Sequence, residues 1–262
     1  MLNARLQAHY AAQWLARYGR SYLPPQSDDS HTSMLWNPSA RLFLSPSSGK
    51  GTLALDIPTL TLFWLDPKGT LGTGFSLDGK TDAEAEEMLR AMLGELGLNP
   101  KRLKSELPYD LPDHAIATGA GSGAAYDVTG NAKGLLALST LFHQAGEILG
   151  MIQEREDGAS PVRCWPHHFD IATLIALDDK KDPEAAKTIG VGLSPGDDNY
   201  PDPYYYIAPW PYPDPEKLKK NEIYTWHTEG FTAAIIHALQ VDQPTTIRGI
   251  GEAIAACKAF LK

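Results

Sequence analysis

Cysteine is nearly absent from this chain. Cys164 and Cys257 stand far apart and no CxxC occurs, which excludes a disulfide framework and a thiolate zinc site and favours a reducing, cytoplasmic home. Clustered basic residues are also lacking. The 23 lysines and arginines are scattered among 32 acids, for a formal charge of -9, so a broad phosphate-binding face is excluded and nucleic acid is not an expected partner. There is no uninterrupted apolar run of the length a bilayer requires, and the first residues lack the apolar core of a signal peptide, so no membrane partner is expected. Arg5, Arg17 and Arg20 precede the first acid, Asp28, as in a transit segment, but the interleaved Tyr10, Trp14 and Tyr18 read as a packed helix.

What is present is an ordinary globular composition. Of 262 residues, 43% are hydrophobic and 21% charged, enough to bury a sizeable core. Leu6, Tyr10 and Trp14 recur at helical spacing and predict an amphipathic helix over residues 3–18, ended by Gly19 and Pro24-Pro25. Short strands are expected near 34–36 and 41–44 within a polar loop. A meander follows over 52–57, 60–65 and 71–77, with Asp66-Pro67-Lys68-Gly69 as a turn. Thr81 or Asp82 caps a helix to about Leu96, and Gly97 stops it. Residues 99–128 read as loop. They close on Thr118-Gly119-Ala120-Gly121-Ser122-Gly123, whose spacing fits neither dinucleotide nor P-loop patterns and reads as a connector. A long helix over 131–154 carries Leu135, Leu138, Phe142, Ala145, Leu149 and Ile152 on one face, with Asp127 or Thr129 as its cap.

The second half alternates. Trp165, Phe169, Ile171, Ile175 and Leu177 occupy odd positions from Arg163 to Leu177, the period of a strand with one face on a core. Residues 187–193 repeat the pattern, with Gly190 and Gly192 leaving space on one face. Tyr204–Trp210 reads as a further strand whose end, rich in proline, stays out of a sheet interior. A short strand at 223–227, a helix at 231–239 and a closing amphipathic helix at 245–261 complete the pattern. Cys257 lies on the apolar stripe of the last of these, as a core thiol. The expected architecture is a single α+β domain over residues 1–262, mainly antiparallel sheet packed by amphipathic helices.

The residues that carry chemistry gather in Trp165-Pro166-His167-His168-Phe169-Asp170. On a strand, His168 and Asp170 share one face about 7 Å apart, where a carboxylate can orient an imidazole for general base work or both can ligate a metal. Their assigned role is catalytic. His227 or His114 would complete a metal set, Asp197 and Asp198 would add carboxylates, and the sequence names no metal or cofactor. His167 falls on the apolar face, as a core histidine. His143 and His237 read as solvated, and His9 and His31 have no company. Gly190, Gly192, Tyr204 and Tyr206 are the expected ligand-binding face. The competing assignment for His168 and Asp170 is a structural hydrogen bond on a half-buried strand. Two functions therefore stay open: a soluble small-molecule-binding protein or enzyme with a pocket at that face, and a non-catalytic interaction domain that uses the aromatic segment 200–215 to dock a partner or a second copy.

Three short signatures also resemble an uncharacterised, mostly bacterial family of single-domain proteins known only as a domain of unknown function. They are Thr81-Asp82-Ala83-Glu84 with its helix, Ser160-Pro161-Val162 leading to Phe169-Asp170-Ile171-Ala172, and Gly192-Leu193-Ser194-Pro195-Gly196-Asp197 leading to Pro203-Tyr204-Tyr205-Tyr206; Tyr126-Asp127 before the long helix is similar too. The paired His167 and His168 depart from the family's pattern. The resemblance implies a single α+β domain and carries no activity, substrate or cofactor.

Overall fold

A computed structural model of the chain describes residues 1–116, 123–180, 182 and 184–262. The glycine-rich stretch from Thr118 to Ser122 lies outside these residues. Among those described, the strands fall into two antiparallel sheets, of five and six strands, accompanied by four α-helices. The fold class is α+β. Contacts gather into two compact units. One comprises residues 1–143 and 164–169, the other 144–163 and 170–262.

In the first unit, α1 (Leu2–Tyr22) is buried around most of its circumference, more than a single docking stripe would need. It packs on β3 (Thr52–Asp56), the middle of the sheet formed with β1 (Leu35–Asn37), β2 (Leu42–Leu44), β4 (Thr61–Leu65) and β5 (Leu71–Ser76). Tyr18 meets Trp64 of β4 edge to face at 5.7 Å, and buried Arg17 pairs with Asp82 at 3.2 Å. The Asp66–Gly69 turn forms as its residues dictate: Asp66 Oδ1 accepts from the Lys68 and Thr70 amides, and Gly69 takes φ +80°. α2 (Asp82–Glu95) starts in a capping box between Thr81 and Glu84 and ends before Gly97 at φ +73°.

α3 (Val128–Arg155) begins where Asp127 Oδ1 accepts the Gly130 amide, and the boundary between the units falls inside it. By length and composition it could cross a bilayer. Its predicted stripe, however, is buried against protein at Leu135, Leu138, Phe142, Ala145 and Leu149.

The second unit's sheet is built from β7 (Asp170–Ala176), β8 (Thr188–Ser194), β9 (Tyr204–Trp210), β11 (Ala233–His237) and β10 (Thr225–His227). Pro209 lies opposite Ile189 of β8, beyond the last β9 residue paired with β11, so its missing amide leaves no ladder bond unmade on that side. α4 (Gln243–Phe260) covers β9 and β11, capped by Asp242. Cys257 is fully buried on it, its thiol pushed up to about 12 by burial, and neither cysteine is in a disulfide.

Three predictions differ. α1 runs through Gly19, its expected stop, to Tyr22. Residues 233–237 form a strand where a helix was expected. Ala-Ala-Ile-Ile is buried on both faces between β9 and β10, so it lacks the period of two that marks a half-exposed strand. The strand expected over 163–177 is interrupted. β6 (Arg163–Trp165) stops at Trp165, a tight turn occupies residues 166–169, and β7 starts at Asp170.

Candidate functional site

That turn decides where the histidines go. The Phe169 amide donates to the Trp165 carbonyl at 2.7 Å, and Phe169 adopts φ +56°, a left-handed conformation that costs a non-glycine residue about 1 kcal/mol or more. The surroundings hold it there. Its ring packs among Phe43 and Phe142 at 6.0 and 5.0 Å, and His9 stacks on it at 5.1 Å, nearly parallel. The alternation that predicted opposite faces for successive residues therefore does not apply to His167 and His168. Their rings lie 4.2 Å apart, and both residues are exposed. His167 is not a core histidine, and His168 does not share a strand face with Asp170.

One stripe of α1 supports the turn from beneath. His9, Gln13, Ala16 and Arg20 follow the 4-3-4 spacing that aligns side chains along one helix face. His9 Nε2 and Gln13 Nε2 both donate to the Pro166 carbonyl, at 2.7 and 2.8 Å, while Gln13 Oε1 accepts the Tyr109 hydroxyl at 2.9 Å. Burial lowers the His9 pKa to about 4, the backbone bond opposing, so the ring is neutral with its proton on Nε2. Tyr109 is raised above the ordinary phenol range by burial, and its hydroxyl stays protonated.

Ala16 and Arg20, the upper half of the stripe, line a cavity of about 530 Å³ together with Trp165, Pro166 and His167 from the turn, Leu107 to Tyr109 from the loop, and Asp28, Asp29, His31 and Thr32. All of these belong to the first unit. The Tyr109 ring lies 5.8 Å from that of His167. The surrounding protein, and secondarily His168, lower the His167 pKa, with Asp29 opposing. His31 Nδ1 accepts the Gln26 amide at 3.1 Å, which leaves Nε2–H as its donor. Arg20 Nη1 donates to the Glu106 carbonyl at 2.5 Å.

The expected ligand face lies in the second unit and is filled by the protein's own side chains. Gly192 stands between Ala172 of β7 and Tyr206 of β9 in the sheet. A Cβ there would lie 2.5 Å from Tyr206 Cζ and 2.8 Å from Ala172 Cβ, and one at Gly190 would also touch the Tyr206 ring. The glycines make room for this phenol, whose hydroxyl donates to the buried Asp170 carboxylate. Tyr204 likewise donates to Asp197 Oδ2 at 2.5 Å, and burial followed by Asp197 holds its pKa above the ordinary range. Tyr200 donates to His227 Nδ1 at 2.9 Å, and His227 Nε2 donates to the Glu229 carbonyl at 2.7 Å.

The proposed completions are thus engaged elsewhere: His227 in that chain, and His114 with Asn3 at 2.7 Å. Asp198 is exposed, and His143 and His237 are half-buried. Among the described residues no three His, Cys, Asp or Glu side chains are grouped to hold a metal. The aromatic run is largely consumed inside its unit, with Tyr204 and Tyr205 buried. Sequence reasoning missed His9, Gln13, Arg20, His31 and Tyr109. For His9, Gln13 and Arg20 the available signal was their four- and seven-residue spacing, which places them on one face of α1. Comparisons with protein-family models, with curated proteins and with solved structures found no match.

Proposed function

We propose that the chain is a soluble small-molecule-binding protein whose ligand enters the cavity beside the Trp165–His167 turn, and not the Gly190/Gly192 face. The observation that carries this is the cavity's construction. About 530 Å³ falls within the range of small-molecule sites, and its walls combine apolar surface from Trp165, Leu107 and Pro108 with a few polar groups on a buried, hydrogen-bonded support. A support fixed before binding lowers the ordering cost that a ligand must offset. A reducing, cytoplasmic setting is part of the reading, supported by two buried thiols outside any disulfide. The acidic balance argues against nucleic acid, and the buried stripe of α3 supports a core helix over a membrane span.

The test is a metabolite thermal-shift screen on the wild type and on His167→Ala and Trp165→Leu. Hits should stabilise the wild type and lose most of that shift in both variants. Hits whose shifts are equal in all three proteins would move the ligand out of this cavity.

A further inference from the structure

Resting on that reading, the geometry points to a ligand class: we propose that the cavity takes a small organic oxyanion, with Arg20 as the anchor of the anionic group and Trp165, Leu107 and Pro108 as the seat of an apolar body.

The cavity wall carries one guanidinium, that of Arg20, and two carboxylates, those of Asp28 and Asp29. Arg20 is half-buried near the end of α1 and forms no ion pair with a carboxylate among the described residues; its one hydrogen bond there goes from Nη1 to a backbone carbonyl. A guanidinium carries five N–H donors in a fixed fork, so most of its capacity is unspent, and the group matches carboxylate and phosphate oxygens better than any neutral acceptor. His31 retains an Nε2–H after Nδ1 accepts the Gln26 amide. His167 has no hydrogen bond to protein among the described residues, so both ring nitrogens remain available to a ligand. Two carboxylates share the cavity. Asp28 is already engaged, with Oδ1 accepting the Ser30 amide at 3.0 Å and a further interaction besides. Asp29, also on the wall, opposes the lowering of the His167 pKa that burial causes.

An amine could meet Asp28 or Asp29 but would stand beside the Arg20 guanidinium, which repels it. A neutral polar ligand would accept hydrogen bonds from the guanidinium without answering its charge, which makes the weaker pairing. Tyr109 does not compete for the anion, since its hydroxyl points to Gln13.

The experiment uses matched probes on the full chain: phenylacetate and phenyl phosphate as the two sources of oxyanion, phenylacetamide as the neutral isostere, and phenethylamine as the cation. Affinity is measured by calorimetry. Location is read from the His31 and His167 ring resonances, assigned with single glutamine variants. The expected result is that at least one anion binds about tenfold or more tighter than the amide and shifts both rings. Arg20→Gln should abolish that preference, and Arg20→Lys should restore part of it for the phosphate, which accepts a point charge, more than for the carboxylate. Equal binding of anion and amide at these rings, or a preference that survives Arg20→Gln, would overturn the anion proposal while leaving the cavity as a binding site. Tighter binding of phenethylamine would do the same. If no probe shifts either ring, both the ligand class and the cavity reading fall. Should Arg20→Gln fail to fold, the anion-to-amide ratio on the wild type decides alone.

Discussion

The turn from Trp165 to Phe169 and the glycine face of the second sheet hold similar inventories of polar and aromatic side chains, and they use them in opposite ways. On the glycine face each polar group near Gly192 is answered by another: Tyr206 by Asp170, Tyr204 by Asp197. At the turn only the underside is answered. His9, Gln13 and Tyr109 converge on the Pro166 carbonyl and on one another, whereas Arg20, His31 and His167 face a cavity. A cluster of chemistry-bearing residues therefore marks a site only where the fold leaves part of it unspent. Closed networks specify packing, and half-open ones on a rigid base can receive a ligand.

The largest expected effect breaks the support of the open side. His9 is held neutral in the folded protein at a pKa of about 4 and titrates near 6.5 when unfolded. The unfolded chain therefore binds the proton first. Stability is fully present above pH 6.5 and is lost as pH falls toward 4, by roughly 3 kcal/mol. His9→Gln keeps a donor and removes the titration, so urea unfolding of both proteins should show the wild type losing about this much more than the variant between pH 6.5 and 4. Parallel stability curves would deny His9 this role.

On the closed side, Gly192→Ala should cost about 1–3 kcal/mol, because the new methyl group meets Tyr206 and Ala172 at distances no side chain tolerates. Unchanged melting would mean that Tyr206 does not lie over the glycine. Tyr206→Phe removes one donor from the buried Asp170 carboxylate and should cost about 1–2 kcal/mol. It should leave ligand affinity at the cavity unchanged, and a loss of affinity there would erase the contrast between the two regions. The smallest effect is expected at His168, which is exposed: His168→Ala should shift stability by less than about 0.5 kcal/mol. A loss comparable to that of Tyr206→Phe would give His168 a structural partner and revise the account of the turn.

The amino-acid sequence by itself determined most of the local structure, because its signals are short-range. Alternation located β8 and β9, helical spacing located α1, α3 and α4, and Thr81-Asp82-Ala83-Glu84 and Asp66-Pro67-Lys68-Gly69 marked a helix start and a turn through hydrogen bonds between near neighbours. Tertiary structure decided the rest. Phe169 takes a left-handed backbone because Phe43, Phe142 and His9 enclose its ring, and that single residue breaks a pattern of period two that reads as unbroken along the chain. Gly192 reads as empty space, yet its neighbour across the strand pair is a tyrosine that fills it. His9 and Tyr109 stand a hundred residues apart in sequence, and only the packing of α1 against the turn joins them through Gln13 and Pro166 into the base of a site. Local hydrogen bonding and periodicity act over a few residues, whereas the choice between a satisfied polar group and an available one depends on what the rest of the chain brings to it.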